Sequence, residues 1–367
     1  MCPDPQRELL LQIVEQSAQL NAAFEKVQRI GTSGGGGNFS LVFTATEKSS
    51  GQQRALKFFH PLLRNADPMN VYRWNSFQRE VTLLNELAGQ KDIITCTSPM
   101  LDFTYVFQGN GGLSLPIRFA YYVLELAASD VRDAIEEKKW NPVLKLTAFA
   151  AMCRAVQRLH HHQMCHRDLK PGNFLVTRDG AVKLGDLGSA CKLDGTTPHL
   201  FTTYSIFPGD RAYSSPEILA CLHDEAPDLG YKCDFFGLGA NLFELFTGAV
   251  LGDQAFDLQY YSDLDQFRRN VKSGNRHSTF HSIVDAIKAS HQLPDLESFD
   301  PSLPKSVRLR LNGLYKSLAD VDHRVRLTDF SRIFNQIGIC RIILQNEKQY
   351  LHRVEEQRRR RAKHQLK

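Results

Sequence analysis

No stretch of the 367-residue chain approaches the roughly 18 to 20 consecutive apolar residues that a spanning helix needs, so no membrane-spanning helix is expected. The first residues, MCPDPQRELLLQIVEQ, lack a basic leader and carry charges inside their apolar stretch, so they do not read as a secretion signal. Paired cysteines are missing too. The eight cysteines stand at 2, 96, 153, 165, 191, 221, 233 and 340, with no CxxC or zinc-type spacing. Free thiols in a reducing, cytoplasmic compartment are the expectation. The body of the protein also lacks net charge. Residues 352–367 (HRVEEQRRRRAKHQLK) carry the whole formal excess of +5, and the other 351 residues hold 38 basic and 38 acidic groups. There is no internal repeat. Low complexity is confined to GTSGGGG at 31–37 and RRRR at 358–361. With 42% hydrophobic and 23% charged residues, the chain has the composition of a folded globular protein.

Apolar residues at 9, 10, 13, 14 and 20 predict an amphipathic helix over 7–24. The period then shortens. Segments 25–31, 39–46 and 53–60 are rich in Val, Phe, Leu and Thr and are separated by turn residues, which predicts antiparallel strands. A helix is expected over SFQREVTLLNELAG, ending at Gly89. Strands near 101–107 and 118–126 follow, joined by QGNGG. Beyond about 127 the pattern is mostly helical, over 145–162, 233–247, 278–290 and 305–318, with small strands near 174–176 and 181–184. A β-rich first third therefore precedes an α-rich remainder, an α+β arrangement.

The densest chemistry lies in His166-Arg167-Asp168-Leu169-Lys170-Pro171-Gly172-Asn173, followed by the apolar strand Phe174-Leu175-Val176. Thirteen residues after Asn173 comes Asp186-Leu187-Gly188. Two acids and an amide carried on loops suit phosphoryl transfer. One Asp orients a hydroxyl, the Asn and the second Asp hold Mg²⁺, and the Lys offsets charge on the moving group. A charged surface loop is the bland alternative, but eight residues in this order are improbable by chance.

In these residues the chain resembles the protein kinase family, in order, over about residues 25–340. Lys57, in Ala55-Leu56-Lys57, matches the family's phosphate-binding lysine, and Glu80, in Arg79-Glu80-Val81, matches its ion-pair partner. Gly35-Gly36-Gly37-Asn38-Phe39-Ser40-Leu41-Val42 fits the glycine loop, with Ser40 in the third glycine place. The resemblance implies that backbone groups of Glu125 and Ala127 bind adenine, with Leu124 as gatekeeper, and that Val42, Ala55 and Leu175 sandwich the ring. It implies that Ser215-Pro216-Glu217 ends the activation segment with Arg324 as the partner of Glu217, and that Asp234 supports the catalytic loop. The fold implied is the bilobal protein-kinase fold, a small antiparallel β lobe plus a large helical lobe with ATP·Mg²⁺ clamped between them. The expected organisation is an N-terminal helix (1–24), N-lobe (25–126), C-lobe (127–345) and basic tail (346–367).

Two departures stand out. Leu187 replaces the commoner Phe and can fill the same apolar slot. Asp210 stands where serine/threonine kinases usually have Thr in contact with the catalytic Asp and Lys. Lys170 in the Asp-Leu-Lys-Pro-x-Asn loop points to a Ser/Thr acceptor in a protein substrate, with autophosphorylation, in signalling or in a toxin or defence system. The implied catalytic set is Asp168, Lys170, Lys57 and Glu80, and the implied metal ligands are Asn173 and Asp186 for Mg²⁺, with Mn²⁺ as a substitute. Thr202 and Thr203 are the expected regulatory phosphosites, with Arg167, Lys192 and Arg211 to receive the phosphate. The alternatives are an ATP-binding scaffold and a kinase-fold enzyme acting on a small molecule. His160, His161, His162, Cys165 and His166 invite a metal reading, but His160 and His166 fall at family positions that hold none.

The tail reads as a solvated helix end, as a contact for a polyanion such as RNA, a ribosome, DNA or an anionic membrane surface, or as an autoinhibitory docking segment. Deleting 352–367 is expected to leave ATP turnover intact and to weaken polyanion binding, with wild-type binding falling steeply as salt rises. Binding curves with and without the tail across a salt series check this; salt-independent binding removes the electrostatic role.

Overall fold

The computed structural model describes residues 10, 12–14, 17–30, 40–60, 67–108, 114–138, 140–193, 207–222, 226, 228–270, 276–296 and 303–346. Its elements begin with α1 (Ala18–Ala23), β1 (Phe24–Arg29), β2 (Ser40–Glu47) and β3 (Gln53–Phe59). Next come α2 (Pro68–Glu86), β4 (Leu101–Gln108), β5 (Ser114–Glu125), β6 (Ser129–Asp130), α3 (Val131–Glu136) and α4 (Pro142–His161). Four short strands follow: β7 (Met164–Cys165), β8 (Phe174–Val176), β9 (Val182–Leu184) and β10 (Cys191–Lys192). The remainder is helical: α5 (Pro216–Leu219), α6 (Leu229–Thr247), α7 (Leu251–Ala255), α8 (Leu258–Asn270), α9 (Arg276–Ser290), α10 (Lys305–Leu318) and a last helix over 330–346. No described helix is long and apolar enough to cross a membrane.

The chain divides into two compact units. One comprises the described residues up to Ser129 together with Leu175–Ser189; the other comprises Asp130–Phe174 and the described residues from Ala190 on. In the first, five antiparallel strands pair in the order β1-β2-β3-β5-β4. Val42 lies opposite Lys57, and Lys57 opposite Tyr122, so the central strand carries the lysine between two neighbours. Side chains alternate along a strand, and on one face Phe58 stacks on Tyr121 (4.9 Å) and meets Phe43 edge-on (5.5 Å). Leu10, Ile13, Val14 and Leu20 join this cluster. The amphipathic face expected near the N-terminus therefore covers the sheet. Its helix does not run unbroken to residue 24. Ser17 caps a new helix by accepting the Leu20 N–H, and Phe24 already begins β1.

Helix α2 begins eight residues before the periodicity indicates. Asp67 accepts the Met69 and Asn70 N–H groups, and Pro68 occupies the first turn, a start signal stronger than the weak apolar pattern of PMNVYRWN. Helix α4 is started the same way by Asn141 and Pro142. Helix α6 is buried on nearly every side and ends at Gly248 in the left-handed conformation.

In the second unit the partner of Glu217 is Arg326, not Arg324. Arg326 donates to both oxygens of Glu217 and to the Lys232 carbonyl, and both side chains are fully buried. Arg324 stands two residues earlier, half-exposed, and pairs with Asp322 and Asp285. That hydrogen bonding holds the Asp322 carboxyl down to about 2. Two arginines flank Val325 in HRVRL, and only burial tells them apart. Burial alone would raise the Glu217 carboxyl, but the Arg326 guanidinium overrides it and holds the pKa below its ordinary value. The ionised pair therefore contributes its full stability above about pH 4.3, and that contribution is lost as the pH falls through the lower folded value.

Arg326→Ala leaves a buried carboxylate without its counter-charge and is expected to cost about 3–5 kcal/mol, whereas Arg324→Ala, at an exposed ion pair, should cost far less. Urea unfolding midpoints of the two variants at neutral pH separate them; equal losses would return the structural role to Arg324.

Candidate active site

Two groups of charged side chains assemble, one in each unit. In the first, the Lys57 ammonium on β3 reaches Glu80 on α2, at 2.9 Å from Oε1 and 2.8 Å from Oε2, and Asp186 Oδ1 at 3.3 Å. Lys57 is 8% exposed and Glu80 1%. Burial by itself would lower the Lys57 pKa, but the carboxylates of Asp186 and Glu80 reverse this and hold it above the ordinary lysine value. The ammonium is thus charged at any physiological pH. Asp186 adopts φ +53°, a strained conformation for a side-chain-bearing residue. Leu187, next to it, is fully buried, so the slot usually held by Phe is filled. The following carbonyl, of Gly188, accepts a hydrogen bond from Arg79 one residue before Glu80, which ties the Asp186 turn to α2.

The expected adenine-binding positions fall in the same unit. Val42 and Ala55 lie on the paired strands β2 and β3, Leu124 lies opposite Ala55, and Leu175 lies on β8. Glu125 closes β5, and its N–H donates to Thr95 O at 2.9 Å. Its carboxylate has a role the sequence did not disclose: it accepts the Thr95 N–H at 2.7 Å and the Lys183 ammonium at 2.6 Å. Ala127 follows the strand, and the next N–H, of Ala128, donates to Val176 O. Gly35, Gly36 and Gly37 lie outside the described residues, as do Thr202, Thr203 and the basic tail.

In the second unit Asp168 is the centre. Its Oδ1 accepts the Asp210 N–H at 2.8 Å, and its Oδ2 lies 3.2 Å from Lys170 Nζ and 3.3 Å from Asn173 Nδ2. The Asn173 amide nitrogen also donates to the Asp168 carbonyl at 2.7 Å. Asp234 on α6 supports this loop. Its two oxygens accept the His166 N–H at 2.9 Å and the Arg167 N–H at 2.8 Å, and His160 Nε2 lies 2.9 Å from Oδ2. His160 is thus engaged with Asp234 and packed among Tyr231, Phe235 and Phe330. Asn241, a turn or two further along α6, donates to the Leu169 carbonyl at 3.0 Å. Arg167 takes φ +65°, so the residue before Asp168 is strained as well.

Asp210 fits its unusual position without displacing the loop. Its Oδ1 accepts the Ala212 N–H at 3.1 Å, its carbonyl accepts the Ser214 hydroxyl at 2.8 Å, and its Oδ2 lies 3.9 Å from Lys170. Lys170 therefore stands between two carboxylates. Three residues on, Tyr213 donates its hydroxyl proton to Glu244 at 2.6 Å and accepts from Arg132 at 2.6 Å. Burial, reinforced by Glu244, holds that phenol protonated. No motif announces this network, because Arg132, Tyr213 and Glu244 are scattered along the chain.

The family model for the protein kinase domain matches residues 24–337. The chain belongs to the protein kinase family. Its relatives include a probable serine/threonine-protein kinase, CE0033, of Corynebacterium efficiens, 29% identical over 235 residues that cover 63% of this chain and 32% of that protein. The serine/threonine-protein kinase cds1 of Schizosaccharomyces pombe is 27% identical over 241 residues, covering 63% of this chain and 46% of that one. The phosphorylase b kinase gamma catalytic chain, liver/testis isoform, of Bos taurus is 26% identical over 225 residues, 59% of this chain and 49% of that one. The chain thus spans from 32% to 49% of the length of these relatives. Protein kinases act on protein substrates and use ATP with a divalent metal ion. The donors at the expected ligand positions, a carboxylate on Asp186 and the oxygen of an Asn173 amide whose nitrogen is already committed to Asp168, are the hard oxygens that Mg²⁺ takes.

In this kinase domain Gly209 has φ +83°, and a Cβ there would sit 2.5 Å from the Arg167 carbonyl and 3.1 Å from the Asp168 side chain. Gly248 has φ +72° with nothing within 4 Å. Gly248→Ala should therefore cost only the backbone strain, about 1–2 kcal/mol, and Gly209→Ala more, with displacement of the catalytic loop. Chemical denaturation of both variants measures the difference; an equal cost would mean that the clash is relieved without effect.

Proposed function

We propose that this protein is an ATP-dependent serine/threonine protein kinase that also phosphorylates itself. The observation that carries the reading is the double hold on Asp168: one carboxylate oxygen receives the Asp210 N–H and the other faces Lys170 and Asn173. A carboxylate held in this way can receive the proton of a hydroxyl and keep its oxygen aimed at a phosphorus atom. Lys170, beside it, offsets charge on the phosphoryl group as it moves. In this reading Lys57, fixed by Glu80, aligns the α- and β-phosphates of the nucleotide. Asn173 and Asp186 hold Mg²⁺, which when bound neutralises phosphate charge. Val42, Ala55 and Leu175 take the adenine ring, with the Glu125 and Ala127 backbones at its edge, and Gly35, Gly36 and Gly37 cover the phosphates.

The choice of Ser/Thr over Tyr acceptors rests on Lys170, two residues after Asp168, and agrees with the names of the relatives. An ATP-binding scaffold is the weaker reading, because every charged group the reaction uses is retained and ion-paired. The basic tail is assigned to polyanion contact on its charge alone. Cytoplasmic residence is part of the same proposal and rests on the scattered thiols.

Asp168→Ala and Lys57→Ala should each lower phosphate transfer from γ-labelled ATP to a generic Ser/Thr protein substrate, and to the enzyme itself, by at least about a hundredfold. Circular dichroism checks that the fold remains. Asp210→Thr is expected to retain activity, because a hydroxyl can still bridge towards Lys170. Wild-type rates in Asp168→Ala would overturn the mechanism, and ATP binding without any transfer by wild type would return the scaffold.

A further inference from the structure

Beside the catalytic loop lies a pair of thiols that the reaction does not use. Strands β7 and β10 run antiparallel with Cys191 directly opposite Cys165, and the two sulfurs are 3.2 Å apart. Cys165 is fully buried and Cys191 half-buried. Cys165 immediately precedes His166-Arg167-Asp168, and Cys191 lies five residues after Asp186. The pairing continues two steps outward, where the Leu193 N–H donates to Gln163 O at 2.9 Å. On the inner side the Cys165 sulfur rests on Gly230, where a Cβ would come within 2.5 Å of it, so glycine is what makes room for this sulfur. Facing residues of an antiparallel pair have Cα atoms about 4.5–5.5 Å apart, inside the range of about 4.4–6.8 Å that a disulfide spans. Bonding requires the sulfurs to close from contact to about 2.05 Å, a movement side-chain rotation can supply.

We propose that Cys165 and Cys191 form a modification site that takes up hydrogen peroxide as a two-electron oxidant and closes to a disulfide, bracing the strand that leads into the catalytic loop against the strand that opens the activation segment. Cys191 is the sulfur that peroxide meets first, being the more accessible. The hydrogen bond between the two thiols and burial hold the Cys165 thiol above the usual thiol range, so Cys165 is the less ready of the two to meet peroxide itself. In the first step the Cys191 sulfur attacks one peroxide oxygen, the O–O bond breaks, and a sulfenic acid and one water result. In the second the Cys165 sulfur displaces the sulfenic oxygen, which leaves with the thiol proton as a second water. Two thiols have given up two electrons and two protons, and peroxide has become two waters. Because the sulfurs already touch, the disulfide forms without moving the neighbouring backbone, and its consequence is a brace rather than a displacement.

The full chain, reduced and then treated with hydrogen peroxide under native conditions, is alkylated and digested without reductant. The expected product is a cross-linked peptide pair joining residues 165 and 191, 2 Da lighter than the two free thiols and released by a thiol reductant. The thermal midpoint should rise by roughly 5 °C on oxidation, since the bond closes a loop of about 25 residues. Amide exchange at 163–167 and 190–193 should slow. Cys191→Ser, at the half-buried position, should keep the reduced wild-type midpoint and lose the oxidation-dependent rise; Cys165→Ala, whatever its own starting midpoint, should likewise show no rise on oxidation. The proposal is overturned by thiols that stay alkylatable in the folded protein, by Cys191 going only to sulfinic acid, by a cross-link joining other cysteines, or by a midpoint that does not rise. None of these readouts depends on phosphate transfer, so they fail or succeed apart from the kinase reading.

Discussion

The catalytic loop depends on one buried carboxylate. Asp234, on a helix closed off from water on nearly every side, accepts the successive N–H groups of His166 and Arg167. Those groups belong to a loop with no ladder of its own, and buried donors left unpaired are costly. With them satisfied, Arg167 can be held at a positive φ and Asp168 can be presented from it. The strain is local, and α6, packed on both sides, sustains it. Asn241 repeats the arrangement one step later by binding the Leu169 carbonyl.

A second regularity is the pairing of Lys57 and of Lys170 with carboxylates on more than one element. Lys57 is shared by Glu80 on a helix and Asp186 on a turn, and Lys170 by Asp168 and Asp210 on two loops. A flexible side chain held from two directions loses the freedom to wander, so its charge is in position before any ligand arrives. Asp210 is the informative member. A carboxylate at a position usually held by a hydroxyl caps its own turn with one oxygen and lies near Lys170 with the other, so the departure is absorbed by local hydrogen bonding.

Much of this was legible in the sequence because it is carried by short-range order. HRDLKPGN, the spacing of Lys57 and Glu80, and the change from period two to period 3.6 are local patterns, and the fold class and the membership of the two charged groups follow from them. The signals that misled were those in which neighbours look alike. Arg324 and Arg326 differ only in burial, and Arg326 proved to be the ion-pair partner. The start of α2 was missed because its cap, Asp67-Pro68, outweighs a weak apolar pattern. The break at Ser17 was missed because an apolar stripe does not record where a hydroxyl caps a new turn.

The sequence by itself determined which groups are present to do chemistry and the order in which strands and helices occur, since both are read from residue type and period. Tertiary structure alone decided which groups meet outside those motifs. The Glu125 carboxylate on Lys183, Tyr213 between Arg132 and Glu244, and the sulfur of Cys165 against that of Cys191 join residues 26 to 112 positions apart. Such contacts are set by how buried surfaces pack and by the need of each buried polar group for a partner, and neither condition leaves a periodic trace along the chain.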